Sequence, residues 1–109
     1  MRFEACEKLF FSGLEGERLY AIYAMGFTRN PKAVRLLTGV LSAKNETPVA
    51  RQLAAHSLGE LGDRSAVPAL LSALKRSRGR VRAAIQAALA KLGVEHNGGS
   101  LDKRTHLLK

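Results

Sequence analysis

Two stretches of this chain, RLYAIYAMGFTRNPKAVRLLTGVL (18–41) and RQLAAHSLGELGDRSAVPALLSAL (51–74), carry one pattern at an offset of 33 residues. The offset pairs Arg18 with Arg51, Ala21 with Ala54, Met25 with Leu58, Gly26 with Gly59, Asn30 with Asp63, Val34 with Val67 and Leu37 with Leu70. A third copy opens with RAAIQAALAKLG (82–93) at an offset of 31, pairing Arg82 with Arg51, Ile85 with Ala54, Leu89 with Leu58 and Gly93 with Gly62. A repeat of this length constrains the fold more than any single motif. One unit cannot bury its apolar face alone, so the units must stack.

Each copy reads as a helix pair. In the second, apolar or small residues at 50, 53, 54, 57, 58 and 61 recur at helical spacing and predict one buried face. Gly62 can end that helix in a left-handed conformation, and Asp63 can cap the next by accepting from its free N–H groups. Asn30-Pro31 is the same device in the first copy, with proline where no N–H is missed. Six helices are expected, over about 2–12, 16–28, 31–43, 48–61, 64–76 and 79–92. The fold class is therefore all-α, a short solenoid of about three hairpins over residues 1–93 (repeats about 1–28, 29–61 and 62–93). Residues 94–109 contain Gly98-Gly99 and no sustained period, so a disordered, flexible basic tail is expected there.

The stretch ARQLAAHSLGELGDRSAVPALLSAL is similar to the HEAT-like repeat of the phycobilisome-lyase type, in which a VR-led helix, AL-G-LGD and AV-P-L recur. The resemblance covers about residues 3–93 and is looser in the first copy, where Phe27, Thr28 and Arg29 stand in place of Glu60, Leu61 and Gly62. It implies an armadillo-like α-solenoid with helices 16–28, 48–61 and 79–92 on its inner face. It also implies that Arg18, Arg51 and Arg82 form a structural ladder of hydrogen bonds near the turns. Some relatives of this kind are enzymes. Deoxyhypusine hydroxylase places His-Glu pairs near the start of these helices to bind iron, but the matching positions are Leu19-Tyr20, Gln52-Leu53 and Ala83-Ala84. DNA glycosylases built from such repeats use an aromatic cleft that includes Trp, and this chain has no Trp.

The remaining chemistry is sparse. Cys6 is the only cysteine, which excludes an internal disulfide and a cysteine-based zinc site; its spacing from Phe3 and Phe10 reads as packing. His56 has only Glu60 as a nearby ligand type, and His96 and His106 lie in the tail without evident partners. No phosphate loop, carboxylate pair or triad is present, so neither an enzyme nor a cofactor is expected. No apolar run approaches the ~18 residues of a membrane span, and Glu4 and Glu7 interrupt the N-terminus where a signal peptide would be uncharged. A cytoplasmic protein without a membrane partner is expected.

Two surfaces depart from the repeat. On the first VR-led helix the positions away from the core are Leu19, Ile22, Tyr23 and Phe27, against Gln52, Ala55, His56 and Glu60 on the second. With Tyr20, Ala21, Ala24 and Met25 assigned to the core, this helix is apolar all round and needs cover on a second side. Helix 1 or the tail could supply that cover, or another chain could, including a second copy in a homodimer. The other departure is LKRSRGRVR (74–82). The net charge is +9, and residues 75–109 hold nine basic groups against two acidic. Lys75, Arg76, Arg78 and Arg80 fall in one turn, as a candidate anion-binding edge. The helix dipole favours Lys75 and Arg76 but not Arg78 and Arg80. The turn before the second VR-led helix, SAKNETPVAR, is mixed in charge. The leading expectation is a non-catalytic adaptor or scaffold that binds another protein. Binding of nucleic acid or another polyanion through residues 75–82, and an accessory role in a bilin lyase-type activity, are the alternatives.

Overall fold

The structure, a computed structural model, describes residues 2–94. Six α-helices follow in order: α1 (Phe3–Phe10), α2 (Glu15–Ala24), α3 (Pro31–Ser42), α4 (Pro48–Leu61), α5 (Val67–Arg76) and α6 (Gly79–Lys91). A 3₁₀ turn at Met25–Phe27 prolongs α2, and another at Arg64–Ala66 leads into α5. There is no strand among the described residues.

Local chemistry fixes the helix starts. The Asn30 side chain accepts from the Lys32 N–H at 2.8 Å, that of Thr47 from Ala50 at 3.1 Å, and that of Asp63 from Ser65 at 2.9 Å. Pro31, Pro48 and Pro68 sit in the first positions of their helices, where a missing N–H costs least. The ends repeat as well. Arg29, Gly62 and Gly93 occupy equivalent positions and all have positive φ, at 53°, 70° and 82°. After α6 the Gly93 N–H donates to the Ala90 carbonyl at 3.0 Å and the Val94 N–H to that of Leu89 at 2.9 Å, a Schellman closure. Val94 also packs against the core. The ordered repeat therefore takes in this residue, which the sequence analysis had assigned to the tail. Residues 95–109 lie outside the described residues.

The helices pair as α1/α2, α3/α4 and α5/α6, and the hairpins stack so that α2, α4 and α6 form one layer and α3 and α5 lie together in the other. Two glycines set the spacing of the first layer. A Cβ on Gly26 would stand 3.0 Å from the Ser57 Cα, and one on Gly59 would stand 3.0 Å from the Ala88 Cα. These are the same contact one repeat apart. Ser57 adds a polar tie: fully buried, its hydroxyl reaches the α2 carbonyls of Ile22 at 2.7 Å and Tyr23 at 3.1 Å.

This close stacking corrects two expectations. Ile22 and its counterpart Ala55, placed away from the core by the sequence pattern, are both fully buried. Inner-layer helices touch a neighbouring repeat as well as their hairpin partner, so their buried arc is wider than a single face. Tyr20, assigned to the core, is 51% exposed.

Candidate interaction surfaces

Repeat-equivalent residues form rows across the α2–α4–α6 layer: Tyr20, Leu53 and Ala84; then Tyr23, His56 and Ala87; then Phe27, Glu60 and Lys91. Bulk therefore declines from the first repeat to the third. Tyr20, Tyr23 and Phe27 are spaced three and four residues apart, so they share one face of α2 and its 3₁₀ extension. All three are exposed, at 51%, 41% and 52%. Tyr23 meets Phe27 edge-on with ring centroids 5.3 Å apart, and stacks on His56 of the next repeat at 5.9 Å with ring planes 7° from parallel. Leu19 is half-buried and packs against the core rather than joining this group. Of the four residues expected to form the apolar face, Tyr23 and Phe27 present themselves to solvent, while Ile22 does not.

The surface continues beyond His56. His56, Ala84, Ala87, Ala88 and Lys91 line a shallow pocket of about 50 Å³ between α4 and α6. Glu60 pairs with Lys91 across the same helices and lies 4.0 Å from the His56 Nε2. The Lys91 ammonium holds the Glu60 carboxyl below its usual range. The result is an aromatic shelf on α2 and α4, a small-residue trough on α6, and a charged pair at one end.

The three repeated arginines do not behave alike. Arg82 donates to the Leu74 carbonyl at 2.8 Å, and Arg51 donates to the equivalent carbonyl of Ala43 and to that of Lys44. Each ties the start of an inner helix to the end of the outer helix before it. Arg18 makes no such bond to the end of α1. It forms a two-pronged ion pair with Glu46 and lies over the Phe10 ring, 4.7 Å from its centroid. The hydrogen bond to Glu46 raises the pKa of Arg18 further.

Lys75 and Arg76 close α5, Arg78 caps α6 without a side-chain bond, and Arg80 lies in the first turn of α6. All four are exposed. Arg76 makes one long bond to the Ser72 carbonyl, at 3.3 Å. Lys75, Arg78 and Arg80 have no hydrogen-bonded or ion-paired partner among the described residues. An open groove of about 510 Å³ beside this turn is lined by Ser42, Lys44, Arg51, Ser72 and Arg76.

Sequence reasoning missed three members of these surfaces. Tyr20 was hidden by its apolar character, although its repeat partner Leu53 is only half-buried. His56 was read in isolation, when its alignment with Tyr23 was the signal that the two rings are neighbours. Lys44 was cancelled on paper by Glu46, which the fold turns toward Arg18. For catalysis the described residues offer little: no group of three or more His, Cys, Asp or Glu is placed to hold a metal ion. Cys6 is buried, and burial raises its thiol pKa. No described helix is long and apolar enough to cross a membrane. The family model for HEAT repeats matches residues 13–95. No curated protein and no solved structure matches the chain.

Proposed function

Because the chain belongs to the HEAT-repeat family, whose fold is consistent with a non-catalytic scaffold, we propose that it is an adaptor binding another protein chain on the α2–α4–α6 layer. The observation that carries this reading is the exposed cluster of Tyr20, Tyr23 and Phe27 with His56 stacked against it. Aromatic side chains of this kind are the usual anchors of protein interfaces, giving large contact area at low entropy cost. The adjoining trough of Ala84 and Ala87 leaves room for the partner's own side chains. Glu60 and Lys91 supply polar contacts at the rim.

Tyr23→Asp combined with Phe27→Asp tests the reading, since neither side chain is in the core. Circular dichroism should show the variant folded. Sedimentation velocity decides whether a second copy is the partner: association that the variant abolishes identifies a homodimer. If the unmutated chain is monomeric, immobilised protein should retain a specific protein that the variant fails to retain. A variant that associates and retains as well as the unmutated chain would end the proposal.

A further inference from the structure

We propose that the groove between the second and third repeats, extended by the turn after α5, binds the phosphodiester backbone of a nucleic acid duplex. The groove brings Lys44 and Arg51 of the second repeat together with Arg76 of the third, and Ser42 and Ser72 complete its lining. Arg78 and Arg80 follow Arg76 within four residues. No carboxylate lines the groove. The nearest in sequence, Glu46, is engaged by Arg18 of the first repeat, and its side chain is only 14% exposed. The fold thus undoes the charge balance of the SAKNETPVAR turn. It leaves Lys44 on the basic side and carries the positive edge from the third repeat onto the second.

The free cations are what a polyanion requires. Arg51 is committed to the Ala43 and Lys44 carbonyls and contributes its charge rather than a new bond. Lys44, Lys75, Arg78 and Arg80 have no partner among the described residues, and Arg76 has only its long bond to Ser72. A basic ribbon on one edge of a chain with pI near 10.5 is the electrostatic footprint of nucleic-acid binding. No aromatic residue lines the groove on which unpaired bases could stack, which favours a duplex over a single strand. The chemistry recognised is phosphate, so binding should be independent of base sequence.

The test is fluorescence anisotropy with a short labelled DNA duplex of arbitrary sequence, repeated over about 50 to 200 mM salt. Log affinity should fall linearly with log salt. Replacing Lys44, Arg76, Arg78 and Arg80 together by Gln should lower affinity at least tenfold and flatten the slope by about 3.6, at about 0.9 for each phosphate contact. A control with Lys8, Arg29, Lys32 and Arg35 replaced by Gln carries the same net charge and should keep the slope. Lys44→Gln alone, in a turn outside every helix, should flatten it by about 0.9 and serves if the fourfold variant does not fold. Equal loss in the control would mean binding by net charge, not by this groove. An unchanged slope in the fourfold variant, or binding of a phosphoserine-rich peptide with none of DNA at low salt, would also overturn the proposal.

Discussion

Three residues carry repeat positions with the wrong or the critical side chain, and each gives a measurable expectation. Arg29 stands where Gly62 and Gly93 stand in the other copies, and it holds a left-handed conformation at φ 53°. A side chain there costs about 1–2 kcal/mol that glycine avoids. Arg29→Gly should therefore raise stability by about 1 kcal/mol in urea unfolding, less the entropy that glycine restores to the unfolded chain. Gly59 is the opposite case. Its φ is unremarkable for a helix, but an added Cβ would meet the Ala88 Cα at 3.0 Å, and backbone cannot yield as a flexible side chain would. Gly59→Ala should destabilise by about 1–3 kcal/mol, although alanine normally improves a helix. Ser57→Ala removes a buried hydroxyl and its bond to the Ile22 carbonyl, and should cost about 1 kcal/mol. Such details were only partly legible in the sequence. The spacing of Gly26 and Gly59 was visible, but nothing in one dimension says which helix passes over them.

The elements were legible almost throughout, because their boundaries are set by residues a few positions away. Asn30-Pro31, Asp63 and Gly62 act where the sequence placed them, and five of the six helices begin within one residue of expectation; α5 starts at Val67, behind a 3₁₀ turn that opens at the expected Arg64. What failed was the choice of faces on α2 and α4. Ile22 and Ala55 are buried because these helices pack against neighbouring repeats, and that contact lies tens of residues away in sequence. Capping chemistry also links folding to the titration of individual carboxyls. The N–H and hydroxyl of Ser65 hold the Asp63 carboxyl below its usual range, and Lys91 does the same for Glu60. A carboxyl with a depressed folded-state pKa is protonated first in the unfolded chain. The stability it contributes is complete above the ordinary carboxylate range and is lost as pH falls through its folded value. Thermal unfolding followed from neutral pH to below about pH 4 should show this loss, and Asp63→Ala should reduce the part that depends on pH. The ties between elements are testable in the same way. Arg82→Ala removes the shorter of two bonds to the Leu74 carbonyl, leaving only the Ser77 N–H at 3.3 Å, and should destabilise by about 1 kcal/mol with no ligand present.

At the scale of the whole molecule, three similar hairpins produce an asymmetric surface. The repeat positions that carry Tyr20, Tyr23 and Phe27 in the first copy carry Ala84, Ala87 and Lys91 in the third. The α2–α4–α6 layer therefore runs from aromatic to small and basic, while the free cations gather at the turns around Lys44 and Arg76. The repeat and its departures were visible in the sequence. The pairing of Glu46 with Arg18, which separates basic from neutral surface, was not, since it joins residues 28 positions apart. The account stands or falls on the aromatic layer being the contact surface. In-cell photo-crosslinking tests this most directly, with a benzophenone amino acid placed singly at Tyr20, at Tyr23, or at the exposed Arg35 of α3 as a control. The account predicts one discrete crosslinked protein from Tyr20 and Tyr23, absent from Arg35. Crosslinking that is equal at all three positions, or absent from both tyrosine positions, would contradict it.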